Sequence, residues 1–190
     1  MDVTSIVLVG VGGQGILLAS RIVSRAAMIA GYDVKLNEVH GMAQRGGSVI
    51  AQIRYGTTVY SPLVREGSAR ALMALERIEA LRYAHYLRPD GLAVVSDKAI
   101  VPVTVSSGAA VYPSDAPERL RAVFPRLKYL PAATLAAELG NARAANTVLL
   151  GAMSKGLDLE TAAWLQAIRD CVKPDMAHLN IEAFEKGRQS

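Results

Sequence analysis

Two glycine-rich turns, each set directly behind an apolar run, constrain this chain more than any other feature. The first is Gly10-Val11-Gly12-Gly13-Gln14-Gly15, behind Ser5 to Val9. The second is His40-Gly41-Met42-Ala43-Gln44-Arg45-Gly46-Gly47, behind Val34 to Val39. A short apolar run, a glycine turn and then a helix-periodic stretch make the opening of a doubly wound α/β sheet. Two such turns at successive strand ends put a donor-rich surface at one edge of that sheet. Open α/β folds receive ligands and partner chains at such edges.

The periodicity sets the expected elements. Ile16, Ala19, Ser20, Val23, Ala27 and Ala30 recur at steps of three and four along a helix from Gln14 to Ala30, with Gly31 as its C′ residue. Asp33 to Val39 is the second strand and Ser48 to Tyr55 the third. Thr57 to Tyr60 reads as a partner of the third across a tight turn at Gly56, which makes the sheet mixed. Ser68 opens a long helix, Ala69 to Leu87, stopped by Pro89-Asp90-Gly91. Strands are expected at Leu92 to Ser96, Ile100 to Val105 and Lys128 to Leu130. A helix from Asp115-Ala116-Pro117 to Phe124 precedes the last of them, its proline in the tolerated first turn.

Beyond Pro131 the pattern is helical: Thr134 to Leu139, Ala142 to Ser154, Leu159 to Val172 and Asp175 to Lys186, with Asp158 and Asp175 as N-caps. No repeat, low-complexity tract or linker interrupts the 190 residues. The expected architecture is α/β, a three-layer Rossmann-like fold. It has a mixed, mostly parallel sheet, helices on both faces, and a helical C-terminal region from about residue 157, in one domain over 1–190.

Composition narrows the function. Hydrophobic residues make up 51% and aromatic residues 5%, so Ala, Val, Leu and Ile must fill the core. The net charge of +4 (21 basic against 17 acidic residues) is dispersed; it favours anionic ligands and is no nucleic-acid signature. The one thiol, Cys171, can form no internal disulfide and hold neither an iron–sulfur cluster nor a four-ligand zinc site. Beside Ile168 and Val172 it reads as an inert buried thiol. His40, His85 and His178 share no metal-ligand spacing, so no metal site is expected. No basic segment precedes the first apolar run, and Pro102, Gly108 and Pro113 break the longest uncharged stretch. Neither a signal peptide nor a membrane span is expected, and the location implied is cytoplasmic.

Gly10, Gly12 and Gly15 match G-x-G-x-x-G between a strand and a helix, where backbone N–H groups capture anions. Glu38, late in the second strand, is placed to hold a ribose hydroxyl. Against a dinucleotide site stand the Gly13-Gln14 pair, which puts a side-chain amide in the loop, and a third strand that enters a hairpin instead of a crossover helix. Another ligand or partner surface and a purely structural turn therefore remain open. In the second turn, Gln44-Arg45 offers planar donors to carboxylate or phosphate, and His40 reads as a hydrogen-bonded structural residue. No nucleophile–base–orienter set can be assembled.

Gly10 to Ile16 together with Glu38 to Ser48 resemble the gamma-type subunit of 2-oxoacid:ferredoxin oxidoreductases. Tyr60-Ser61-Pro62-Leu63, Leu75-Glu76, Glu79 to Tyr83, Gly140-Asn141, Asn146 and Leu150-Gly151-Ala152 extend the resemblance over roughly Ile6 to Gly156. The helical tail carries no matching motif. The resemblance implies oxidative decarboxylation of a 2-oxoacid, an aryl pyruvate such as indolepyruvate in the branch it is most like. Thiamine diphosphate carries the decarboxylation, electrons pass through iron–sulfur clusters to ferredoxin, and the acyl group goes to coenzyme A.

With one cysteine and no Gly-Asp-Gly…Asn-Asn thiamine signature, this chain would leave thiamine diphosphate and the clusters to a large catalytic partner subunit. No catalytic residue is then expected here. Gly10, Gly12, Gly13, Gln14 and Gly15 would form a ligand or partner loop. His40, Gly41, Gln44, Arg45, Gly46, Gly47 and Asn146 would form an interface or substrate entrance. A stand-alone Rossmann-like NAD(P)- or nucleotide-binding protein and a purely structural assembly module are the alternatives.

Overall fold

The computed structural model describes residues 3–41 and 46–190 and, at residues 103 and 104, the backbone alone. Strands β1 (Thr4–Val11), β2 (Asp33–His40), β3 (Ser48–Gly56), β4 (Ala69–Ala74), β5 (Leu87–Ser96) and β6 (Leu127–Leu130) form one sheet in the order β2-β3-β1-β4-β5-β6. Strands β1, β4, β5 and β6 run parallel, and β3 pairs antiparallel with both β1 and β2. The sheet is thus mixed and mostly parallel, with β3 alone reversed. Helix α1 (Ile16–Ile29) carries the chain from β1 to β2 and leaves a gap one strand wide. The β2–β3 hairpin fills it, pairing His40 with Val49 and Val11 with Ser48.

The remaining helices are α2 (Arg77–Arg82), α3 (Val103–Ser106), α4 (Ala116–Val123), α5 (Ala132–Glu138), α6 (Ala145–Ser154), α7 (Thr161–Cys171) and α8 (Ala177–Gln189). Alternation along the strands divides the core into two layers. Ile6, Leu8, Ile53, Met73 and Val94 face α1, α6, α7 and α8. Val7, Val9, Leu72, Ala74 and Val95 face Ala80 of α2 and Leu120 and Phe124 in and beside α4. Covered on both faces, β1 and β4 carry the apolar runs Ile6 to Val9 and Ala71 to Ala74. Gly31 follows α1 at φ +85°, the left-handed C′ position expected of it. Asp115 precedes α4 as expected, but its carboxylate pairs with Arg119 at 2.8 Å instead of capping the helix.

Several expectations fail, each for a physical reason. Ala69 to Leu87 is not one helix opened by Ser68. Its first six residues are β4. The Ala- and Leu-rich composition favours helix locally, yet Ala71 to Ala74 pair with β1 on one side and β5 on the other, and their small and aliphatic side chains fill that slot. The helix begins only at Arg77, and Ser68 Oγ donates to the Arg65 carbonyl at 2.6 Å.

Thr57 to Tyr60 is not a strand. Asp33 accepts from the Val59 N–H at 2.8 Å and Arg54 donates to the Ser61 carbonyl at 2.9 Å, which hold the segment as a loop. Nor is Ile100 to Val105 a strand: residues 103–106 turn as α3, and β5 pairs with β6. Asp158 does not cap α7, because Arg70 takes its carboxylate in a bidentate pair. Asp175 lies inside a 3-10 turn, Pro174–Met176, ahead of α8.

The C-terminal helices are integral to the core. Trp164 and Phe184 are fully buried with ring centroids 5.7 Å apart, in the same layer as Ile6 and Leu8. Gly151 of α6 faces the Phe184 carbonyl, and Gly187 of α8 faces the Val148 carbonyl. A Cβ at either position would collide with backbone, so the two helices touch main chain to main chain.

Candidate functional site

From β1 the chain leaves through α1 toward β2; from β4 it leaves through α2 toward β5. Their carboxyl ends therefore flank the switch point of the sheet, where open α/β folds bind ligands. The first glycine turn lies there, and Gln14 bridges the two strand ends. Its Oε1 accepts from the Val11 N–H at 2.7 Å, and its Nε2 donates to the Leu75 carbonyl at 2.8 Å. A Cβ on Gly10 would sit 2.8 Å from Gln14 Oε1 and 3.2 Å from Leu75 Cβ, so this clamp needs glycine.

Gly15, at φ +81°, precedes α1. Its carbonyl accepts from the Ala19 N–H and from Asn146 Nδ2, each at 3.1 Å. Asn146 is 3% exposed and buttresses the first turn from behind, with Oδ1 accepting from the Thr147 N–H at 2.9 Å.

The second turn closes where the Gly41 N–H donates to the Ser48 carbonyl at 3.2 Å. The Gly12 N–H donates to the Gly47 carbonyl at 2.8 Å and joins the two turns. The structure therefore gathers Gly10, Gly12, Gly13, Gln14, Gly15, His40, Gly41, Gly46 and Gly47 at one edge, with Asn146 beneath. Gln44 and Arg45 lie outside the described residues. Gly12, Gly13, Ile16, Leu17, His40 and Val49 line a recess of about 450 Å³ between the turns. Across the first turn, a second recess of about 470 Å³ brings Lys98 and Arg143 near Gln14 and Asn146.

The dinucleotide expectation fits this edge poorly. The Val11 donor and Leu75 acceptor at the crevice floor are taken by Gln14. Glu38, the candidate ribose ligand, instead accepts from Ser20 Oγ at 2.6 Å.

Behind the edge lie polar groups that the sequence marked only as part of the resemblance. Glu76 (2% exposed) caps α2, accepting from the Ile78 and Glu79 N–H groups at 2.7 and 2.9 Å. Its other oxygen accepts from Tyr112 Oη at 2.6 Å and the Ile100 N–H at 3.3 Å. Burial, reinforced by Glu76, pushes the Tyr112 phenol up to about 12. Arg77 stacks on the Tyr112 ring at 4.9 Å.

Glu79 (5% exposed) accepts from Ser48 Oγ and, at 2.9 Å, from Arg82 Nε; Tyr83 Oη lies 3.0 Å from Ser48 Oγ. The signal for these residues was Glu-x-x-Glu directly behind an apolar run. Reading 69–87 as one helix hid the strand-to-helix junction, where Glu76 caps α2 and Glu79 lies in its first turn.

Cys171 is half-buried, and burial pushes its thiol up, with Asp170 adding to the rise. A single protonated thiol does not fit an iron–sulfur cluster. Nor does the crevice floor, closed by Gln14, fit the diphosphate of thiamine. Away from the edge, His85 packs on Tyr86 at 4.5 Å, and His178 lies 3.4 Å from Glu182 on α8. Among the described residues no helix is long and apolar enough to cross a membrane.

Comparison with known proteins places this geometry. The family profile described as Pyruvate ferredoxin/flavodoxin oxidoreductase matches residues 5–190, so the match includes the C-terminal helices. The indolepyruvate oxidoreductase subunit IorB of Pyrococcus horikoshii is 44% identical over 189 residues, covering 96% of this chain and 93% of the relative. Its Archaeoglobus fulgidus counterpart is 41% identical, covering 96% and 92%.

Among solved structures, pyruvate oxidoreductase subunit PORC of Thermotoga maritima superposes with a TM-score of 0.74 at 20% identity, covering 100% of this chain and 97% of that one. A 2-oxoglutarate:ferredoxin oxidoreductase chain from Magnetococcus marinus, solved with 2-oxoglutarate, coenzyme A and succinyl-CoA bound, matches with a TM-score of 0.72 at 20% identity. The match covers 100% of this chain and 31% of that one. The glycine turns, the reversed β3 and the helices after residue 157 thus belong together, and the chain is a member of the pyruvate ferredoxin/flavodoxin oxidoreductase family.

Proposed function

We propose that the chain is the small, cluster-free subunit of an indolepyruvate-type 2-oxoacid:ferredoxin oxidoreductase, which oxidatively decarboxylates an aryl pyruvate to its acyl-CoA with ferredoxin as electron acceptor. The observation that carries this reading is reciprocal, near-full-length similarity at 41–44% identity to indolepyruvate oxidoreductase subunits IorB. Thiamine diphosphate would supply the decarboxylation and iron–sulfur clusters the electron path, both in a large partner subunit, since the residues of this chain fit neither.

This chain contributes a shaped edge. First-turn N–H groups of a helix lack intrahelical partners, and those of α1 open beside the recess between the glycine turns. Ile16, Leu17 and Val49 give that recess apolar walls, and Lys98 and Arg143 stand across the first turn. Cationic groups beside apolar walls suit coenzyme A, with its phosphates and uncharged arm. His40, Gly41, Gly46 and Gly47 face the large subunit in this reading, and Gln44 and Arg45, which lie between them in sequence, are proposed to do so too. The complex is cytoplasmic, as its soluble electron acceptor requires.

The test is coexpression with the large subunit and measurement of 2-oxoacid- and coenzyme-A-dependent ferredoxin reduction across a substrate panel. Activity on aryl pyruvates is expected only with both chains present. Full activity of the large subunit alone, or turnover of no 2-oxoacid, overturns the proposal.

A further inference from the structure

We propose that Glu79, acting through Ser48, is a positioning residue: it fixes Gly47 against the first glycine turn and so sets the affinity for the coenzyme A entering the recess beside them. The inference rests on the functional reading above for the identity of the ligand. The positioning itself rests on hydrogen bonds within this chain.

The two turns come from different elements, and among the described residues one direct hydrogen bond joins them, from the Gly12 N–H to the Gly47 carbonyl. That carbonyl belongs to the Gly47–Ser48 peptide, so whatever fixes Ser48 also orients the acceptor. Ser48 Oγ is held by the Glu79 carboxylate, with Tyr83 Oη 3.0 Å away. Glu79 is in turn fixed by Arg82 at 2.9 Å. Its helix, α2, is pinned by the four contacts of Glu76 and by the Arg77 N–H, which donates to the Lys98 carbonyl at 3.2 Å. A continuous strut therefore runs from Tyr112 through Glu76, α2, Glu79 and Ser48 to Gly47 and Gly12.

Burying a carboxylate is costly, and an apolar side chain would pack α2 against β1 equally well. What the carboxylate adds is a directional, charge-assisted acceptor for one serine hydroxyl. Glu79 does not line the recess between the turns, so it touches no ligand there and acts through Ser48.

The experiment uses the two-subunit complex carrying Ser48→Ala, Ser48→Thr or Glu79→Gln. KM and kcat are measured for coenzyme A and the 2-oxoacid, and amide hydrogen exchange at Gly12 is measured in the same samples. Ser48→Ala is expected to raise KM for coenzyme A about tenfold, the scale of one lost hydrogen bond, with kcat within about twofold. Exchange at Gly12 should quicken by a similar factor. Ser48→Thr, which keeps the hydroxyl, should restore both, and Glu79→Gln should fall between.

Wild-type exchange and wild-type KM in Ser48→Ala overturn the proposal, as does failure of Ser48→Thr to rescue either. Should Ser48→Ala not fold, Tyr83→Phe removes one tie to the same hydroxyl and is read by the same two measurements. The exchange rate needs no substrate. Quickened exchange in a complex that turns over no 2-oxoacid would therefore sink the functional reading while leaving the strut standing.

Discussion

At the carboxyl ends of β1 and β4, one amide meets a donor and an acceptor that would otherwise need water or a ligand. Gln14→Leu leaves the Val11 N–H and Leu75 carbonyl without that partner, and a buried orphan of this kind costs about 1–3 kcal/mol. A loss of about 2 kcal/mol is expected in denaturant unfolding of the subunit, with no gain of dinucleotide binding by calorimetry. Micromolar NAD(H) binding in the variant would show that Gln14 was the only obstacle to such a site.

Tyr112 supplies a pH prediction. Its phenol rises from 10.0 to about 12 in the fold, so the neutral form is favoured there. Its contribution to stability is fully present below 10, the unfolded value, and is lost as pH climbs through 12. Tyr112→Phe should lower stability at neutral pH and flatten part of the alkaline decline. Tyr55, also raised to about 12 by burial, should keep the remainder. An unchanged alkaline limb in Tyr112→Phe would contradict this.

Among the elements, the α6–α8 contact is the least tolerant. With main chain touching main chain at Gly151 and Gly187, a single methyl group must push two helices apart. Gly187→Ala should cost about 3 kcal/mol, the upper range for overpacking, even though alanine favours helix. A thermal midpoint equal to wild type would show that the helices can separate freely.

The same elements show where sequence reading works. Helix α1, strands β1 to β3 and helices α5 to α8 were legible because each carries its own period or an unmistakable stop. Strand β4 was not, because Ala69-Arg70-Ala71-Leu72-Met73-Ala74 is a good helix by composition and becomes a strand only through its neighbours. That error hid where Glu76 and Glu79 stand, although both lie in segments that carry the family resemblance, while the described residues of the two glycine turns lie together at one edge, because a turn's meaning is local. Asp158 was misread for a related reason: its partner, Arg70, is distant in sequence. The Arg70 guanidinium holds the Asp158 carboxyl below its usual range. This pair therefore stabilises above that range and fades as pH falls through the lowered value, by no more than about 1 kcal/mol at so exposed a site.

For the whole molecule, the reading as a subunit predicts that the purified chain alone is colourless and free of iron and thiamine. A stoichiometric cluster in the isolated chain, measured by iron analysis and absorption, would overturn that division of labour. The order of strands also bears on how the chain is made. Strand β1 leaves the ribosome before β3 and β4, which flank it in the sheet, and one of its faces is sealed by a layer that includes a close helix contact at Gly187. Its pairings are long-range, the kind that form slowly and leave strand edges open in the interval. The nascent chain must therefore carry the apolar run Ile6 to Val9 unsheltered until α8 has emerged, an interval in which its open edges can pair with the wrong strand.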